Sequence, residues 1–187
     1  MTIGFAFCGS FCTFEKVFPI VEALAKEHKI IPIFSPAAFE TDTRFGLAGE
    51  HIRRITKVCG VPPLHTITEV EPIGPKKMLD ILVIVPCTGN TLGKLSHGIA
   101  DTAVTMAAKS HLRNGQPVLI GISTNDGLSG AAENIGRLLN RKNIYFLPFG
   151  QDDAANKPRS LVADFTKLPD AIAEAIEGRQ IQPILIP

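Results

Sequence analysis

Ile81-Leu-Val-Ile-Val-Pro-Cys-Thr-Gly-Asn-Thr-Leu-Gly-Lys-Leu-Ser-His-Gly-Ile-Ala-Asp-Thr102 is the stretch that decides the fold. It opens with five apolar residues, four of them Ile or Val. Such a run is the pattern of a strand buried on both faces. The chain then turns through Pro86, Cys87, Thr88, Gly89 and Asn90. From Thr91 the spacing becomes helical, with Leu92, Leu95, Ile99 and Ala103 recurring at steps of three and four. One helix is predicted from Thr91 to about His111. A short turn rich in hydroxyls, between a buried strand and a helix, is where an open α/β sheet places its ligands.

The same strand–turn–helix grammar extends in both directions. Residues 2–8 predict a first strand, and Gly9-Ser10-Phe11-Cys12-Thr13 a turn. A helix follows over 15–29, with Thr13 as its cap and Pro19 in its early turns. Residues 30–34 predict a second strand, placed at a sheet edge by Pro32. Residues 45–58 predict a helix with Phe45, Ala48, Ile52, Ile55 and Val58 on one face. The Pro- and Gly-rich residues 61–77 contain a short β-like piece at Thr66 to Val70. Beyond the central stretch, residues 117–122 predict a buried strand ending in Ser123-Thr124-Asn125-Asp126-Gly127. A helix over 128–140, a last strand over 143–148, a polar loop over 149–160 and a helix over 168–178 complete the body. The tail, residues 179–187, carries Ile181, Ile184, Leu185 and Ile186 and is expected to dock, with a neighbouring protomer as one surface for it. This alternation predicts a single domain over 1–187, a Rossmann-type, doubly wound parallel sheet in three α/β/α layers.

Composition narrows the function. The 187 residues are long enough for a full core. A net charge of +1, one Tyr and no Trp argue against a nucleic-acid partner. No apolar run is long enough to span a bilayer, and Met1 leads almost at once into a strand, so no membrane association and a cytoplasmic location are expected. The four cysteines, Cys8, Cys12, Cys59 and Cys87, lack zinc-site spacing, and no metal is expected.

In such a sheet four polar strand ends converge on one edge: Gly9-Ser10, Ser35, Thr88-Gly89-Asn90-Thr91 and Ser123-Thr124-Asn125. Backbone N–H groups and neutral hydroxyls around a helix N-terminus suit a phosphate. Each end also has a plainer reading, Gly9-Ser10 as an ordinary turn and Ser35 as a helix cap. Arg44, where the chain leaves the second strand, is a candidate for gripping a substrate carboxylate through its planar fork. Lys157 and Arg159 in the late loop are further candidates.

Pro86-Cys-Thr-Gly-Asn-Thr91, followed by Lys94-Leu-Ser-His-Gly-Ile-Ala-Asp101, resembles the PASANT-type motif of the homo-oligomeric flavin-containing cysteine decarboxylases. That family includes phosphopantothenoylcysteine decarboxylase, the lantibiotic peptidyl-cysteine decarboxylases and the flavin prenyltransferases. Several segments are similar, more closely still, to the B subunits of a two-component enzyme that makes a pyridine dicarboxylate in sporulating bacteria. They are Gly4-Phe-Ala-Phe-Cys-Gly-Ser-Phe-Cys-Thr13, Thr43-Arg-Phe-Gly46, Val70-Glu-Pro-Ile-Gly-Pro-Lys76, Ser123-Thr-Asn-Asp-Gly127 and Lys142-Asn-Ile-Tyr-Phe-Leu-Pro-Phe-Gly-Gln-Asp152.

The resemblance implies a flavodoxin-like fold, FMN at the carboxyl edge of the sheet near an interface between protomers, and a trimer or dodecamer. It implies that Gly9, Ser10, Ser35, Thr88, Gly89, Asn90 and Thr91 hold the phosphate and ribityl chain, a cradle that would also accept phosphate alone. Ser123, Thr124 and Asn125 would lie near the isoalloxazine or substrate. The implied activity is an oxidoreductase step on a dihydro- or tetrahydropyridine dicarboxylate, in the mother-cell cytoplasm, with an A subunit that looks like a nicotinamide-dependent dehydrogenase. A decarboxylase, a prenyltransferase or a non-catalytic supporting partner are the alternatives. The chain departs from the decarboxylases in two ways. Ile-Ser-Thr-Asn-Asp-Gly127 replaces their PxMNxxMW segment. His51 and His65 lie in the region of their catalytic histidine but outside its sequence context, and His97 is expected to be structural. No catalytic residue is assigned from sequence.

Overall fold

The structure is a computed structural model and describes residues 1–186. Its elements run β1 (Thr2–Phe7), α1 (Phe14–Leu24), β2 (Lys29–Phe34), α2 (Pro36–Glu40), α3 (Ala48–Cys59), α4 (Ile67–Val70), β3 (Ile81–Cys87) and α5 (Gly89–Ser96). They continue as α6 (Ala103–Leu112), β4 (Val118–Thr124), α7 (Ala132–Leu139), β5 (Ile144–Phe146), β6 (Phe149–Gly150), β7 (Leu161–Ala163) and α8 (Leu168–Ile176).

The parallel strands pair in the order β2-β1-β3-β4-β5, with Ile3 opposite both Ile30 and Ile81, Leu82 opposite Val118, and Val118 opposite Ile144. This is the doubly wound order of flavodoxin-like sheets, as predicted. All seven residues of β3 are buried, as its unbroken apolar run requires at the centre of a three-layer fold. Pro32 does lie in the edge strand. Helices α1 and α8 pack against the strands from one side, while α5, α6 and α7 pack against them and one another from the other.

The core is aromatic beneath β1. Phe7 meets Phe14, Phe18 and Phe34 at centroid distances of 5.8, 5.6 and 5.1 Å. Aromatic pairs of this kind add about 0.5–1.5 kcal/mol each beyond area burial. They clamp the segment that carries the chain out of β1.

Four expectations are corrected. Thr66 to Val70 is not a strand: Thr66 and Glu69 form a capping box that starts α4. The helix predicted over 91–111 is two helices, because Gly98 takes a left-handed φ of 71° and Thr102 caps a new start. Thr13 makes no side-chain cap to α1; its Oγ1 donates to the Ser10 carbonyl at 2.8 Å. Phe45 stands outside α3, in a turn closed by Thr43 and Gly46. The tail does dock as expected, with Phe149 N donating to the Ile184 carbonyl and Ile186 N to the Phe149 carbonyl. The short β6 and β7 are additions to the expected strands. No helix among the described residues is long and apolar enough to cross a membrane.

Candidate functional site

Because β2, β1, β3 and β4 run parallel, their carboxyl ends stand in a row, and the order of connection reverses between β1 and β3. Crevices at such reversals are where open α/β sheets bind ligands. Backbone hydrogen bonds fix the neighbouring loops to one another: Ser35 N donates to the Phe7 carbonyl at 2.9 Å, and Cys8 N to the Pro86 carbonyl at 3.2 Å. β3 is irregular between Ile84 and Cys87, which offsets its last residue against β4.

Side chains join the ends a second time. The hydroxyls of Ser10 and Ser123, 113 residues apart, lie 2.7 Å from each other. Thr88 caps α5, accepting from Thr91 N, and its own hydroxyl donates to Thr91 Oγ1 at 3.3 Å. Thr91 Oγ1 donates in turn to Cys8 Sγ at 3.3 Å. At the end of β4, Thr124 Oγ1 donates to Asp126 Oδ1. Gly89 lies against this pair: a Cβ there would stand 2.7 Å from Asp126 Oδ1 and 2.9 Å from Thr124 Oγ1. A side chain at position 89 would force the Asp126 and Thr124 side chains at the end of β4 to move. Burial pushes the Cys87 thiol well above its ordinary pKa, so it stays neutral under the turn.

The structure thus brings together Gly9, Ser10, Thr88, Gly89, Ser123 and Thr124, with Ser35 one strand further out. Ser35 also performs its plainer role, accepting from Ala38 N at 3.2 Å as the cap of α2. Asn90 and Asn125 are exposed at the edge. Thr91 differs from its neighbours: it is buried and spends its hydroxyl inward on Cys8, so it shapes the turn. The antiparallel β7 pairs Leu161 with Thr124 and carries the 151–160 loop over the end of β4. Ser160 Oγ donates to the Thr124 carbonyl at 3.3 Å, and Leu128 N to the Arg159 carbonyl at 2.9 Å. Lys157 and Arg159 are therefore near β4, Lys157 in an ion pair with Asp152 at 3.1 Å. Arg44 is exposed, with its guanidinium 4.8 Å from the ring centroid of Phe45.

The histidines separate clearly. Leu64 bridges to Ile33 beyond β2, and Phe34 N donates to the Leu64 carbonyl at 2.8 Å, which sets His65 beside the end of β2. Its ring stacks on Phe39 at 3.8 Å, and its Nδ1 lies 3.3 Å from Glu69. His51 is buried against Phe14 and Phe18, and burial lowers its pKa. His97 contacts the Gly93 carbonyl and Arg137 at the end of α5, a structural position. Sequence reasoning missed Asp126 as part of the site; its signal was an acid two residues beyond a strand-end threonine.

These residues fit the phosphate and polyol of a flavin nucleotide on chemical grounds. The donors at the β1–β3 reversal are neutral hydroxyls and backbone N–H groups, and glycine occupies the points of closest approach. Asp126 sets a carboxyl group, two acceptor oxygens, against the start of α5, so a phosphate fits best on the Gly9-Ser10 side of the cradle.

A three-layer flavodoxin-like sheet with this edge defines a class. The Flavoprotein family profile matches residues 1–166, and the chain belongs to that family. Within it the chain is 45% identical, over 185 residues, to the B subunit of dipicolinate synthase from Bacillus subtilis (strain 168), covering 98% of this chain and 92% of that protein. The crystal structure of the dipicolinate synthase B subunit from Bacillus halodurans C superposes with a TM-score of 0.91 at 44% identity, over 100% of this chain and 96% of that one. The fold is also shared with Burkholderia xenovorans DmrB, a cubic protein cage for redox transfer solved in complex with FMN. That likeness has a TM-score of 0.70 at 18% identity, over 94% and 95% of the two chains.

Proposed function

We propose that this chain binds FMN and works as the B subunit of dipicolinate synthase, together with the enzyme's A subunit, to oxidise a dihydro- or tetrahydropyridine dicarboxylate to the aromatic product. The observation that carries the flavin assignment is the Ser10–Ser123 contact at 2.7 Å, which closes a neutral donor cradle across the β1–β3 reversal. The 45% identity over nearly the whole chain supports the pairing with an A subunit. The FMN-bound fold relative supports the cofactor, and its cage assembly supports a homo-oligomer; a dodecameric FMN-dependent Ubix-like decarboxylase of the same fold supports a trimer or dodecamer as its size. The cell of action is the mother cell of a sporulating bacterium, in its cytoplasm.

FMN, when bound, would supply a two-electron acceptor, enough to aromatise a dihydropyridine ring by loss of a hydride and a proton; a tetrahydropyridine ring needs two such oxidations. The protein's own residues do the rest. Gly9, Ser10, Ser35, Thr88 and Gly89 hold the phosphate and ribityl chain without a counter-charge. Ser123, Thr124 and Asn125 orient the ring at the end of β4. Arg44, Lys157 and Arg159 meet the substrate's carboxylates. The proton released alongside the hydride needs an acceptor. His65, beside Glu69, and Asp126 are candidates along this edge.

The test is reconstitution of the purified chain with FMN and the A subunit, following pyridine absorbance. Product from both together, with flavin bands in the purified chain, supports the reading. Full-rate product when this chain is left out removes the catalytic role, and a colourless chain with no FMN affinity leaves a supporting role. A second reading, a decarboxylase or prenyltransferase on the same fold, is favoured by the position of His65. Turnover of a cysteinyl or prenyl-phosphate substrate would establish it.

A further inference from the structure

Helix α5 begins at the carboxyl edge of the sheet and ends near the opposite one. There its last turn, the return through Gly98 and Ile99, α6 and the α7–β5 connection enclose a hollow of about 390 Å³. Leu95, Ile99 and Leu112 supply its apolar surface, and Ile99 is 48% exposed. Four exposed cations line it, Lys109, Arg113, Arg141 and Lys142, and no carboxylate does. In a chain whose net charge is only +1, that is a local concentration of one sign.

The ion pairs elsewhere engage Arg54, Lys94, Arg137, Lys157 and Arg179. Among the described residues none of the four groove cations has a carboxylate partner within 4.0 Å. Arg141 is held in place by its Nη1, which donates to the Leu95 carbonyl at 2.8 Å. Arg141 and Lys142 also line a second hollow, of about 630 Å³, beside Leu139, which is 44% exposed. The surface is therefore two adjoining hollows with a basic ridge between them.

We propose that this face docks an acidic segment of the A subunit, one that carries large apolar side chains for the hollows and carboxylates for the ridge. The occupant's identity rests on the two-component reading above. Complementary charge steers encounter and fixes register, while arginines beside apolar pockets are common sites of large binding energy. A small anion would fill one hollow and leave the ridge half used. A second copy of this chain, with a net charge of +1 of its own, brings no net complementary charge to the ridge. The face lies at the far edge of the sheet from Ser10 and Ser123, so a partner seated here leaves the flavin edge open.

The experiment measures binding of the purified A subunit to the full-length FMN-loaded chain by calorimetry at two salt concentrations. The K109E/R113E double variant should bind at least tenfold more weakly, and Ile99→Asp should also bind more weakly. Wild-type affinity should fall steeply with salt. The K16E/K26E control, on α1 and in the turn after it, should bind as wild type does. Flavin absorbance, melting temperature and mass by light scattering should be unchanged in all. Unchanged affinity in both groove variants overturns the site. A change of homo-oligomer mass in K109E/R113E overturns the occupant, since the face then joins copies of this chain. Failure of the wild type, at either salt, to bind the partner overturns the two-component reading and the occupant with it, an outcome distinct from a groove that is merely misplaced.

Discussion

The two edges of one sheet are built on opposite plans. At the carboxyl edge, the ends of β1, β3 and β4 are tied to one another by short side-chain contacts: Ser10 to Ser123, Thr91 to Cys8, and Thr124 to Asp126 packed against Gly89. At the amino edge, the side chain of Asp80 joins the starts of β1 and β3. Asp80 Oδ2 accepts from Thr2 N at 2.6 Å, and His111 packs beside Pro117 with its Nε2 unpartnered. Around these the cations of the basic hollow stand apart from any acid. One edge is preorganised for a ligand whose charge it meets with dipoles. The other leaves its charges for something outside the chain.

The comparison breaks most severely at Gly89. Gly89→Val puts a branched side chain where even a Cβ meets Asp126 and Thr124 within 3 Å. We expect loss of FMN binding by fluorescence titration and a fall in stability of about 1–3 kcal/mol by denaturant melts, the usual cost of overpacking. Retained tight binding would show that the start of α5 is not part of the cradle.

The amino edge has its largest effect through pH. Burial lowers the pKa of His111 from 6.5 to about 4. The folded state thus keeps the ring neutral while the unfolded chain protonates it. The stabilising contribution is complete above pH 6.5, declines below it, and is lost as pH falls to about 4. Its size is about 3 kcal/mol, from a shift of that magnitude. His111→Gln should flatten stability across that window in urea melts, while FMN affinity at neutral pH stays as it is.

Smaller effects belong to the hydroxyls. Ser10→Ala and Ser123→Ala should each weaken FMN binding by about 1 kcal/mol, the worth of one neutral hydrogen bond. Because the two hydroxyls touch, the double variant should depart from additivity. Strict additivity in the titrations would mean that they act on different parts of the ligand. Least of all, Lys157→Ala should leave the denaturant midpoint essentially where it is, since its pair with Asp152 is exposed. A measurable loss of turnover with unchanged stability would mark it as a substrate contact.

Much of the carboxyl edge was legible in the sequence. Unbroken apolar runs ending in Ser, Thr, Gly and Asn announced buried parallel strands with polar ends, and the order of elements aligned those ends. Some misreadings had local signals of their own. Thr66 and Glu69 spelled a capping box, and Gly98 followed by Thr102 marked a stop and a restart. Other features had none. β6 and β7 are two and three residues long, too short for periodicity, and exist because the 151–160 loop folds back on β4. The tail's docking partner, Phe149, is likewise visible only once the chain has folded.

By itself the sequence determined the class of fold and the chemistry of one edge, because burial period and turn composition are local properties that each strand carries with it. Only the tertiary structure decided which hydroxyls meet, that Thr91 turns inward, that Asp126 sits against Gly89, and that Lys109, Arg113, Arg141 and Lys142 share one hollow. Those facts depend on distances between residues far apart along the chain, and strand order and helix packing set such distances.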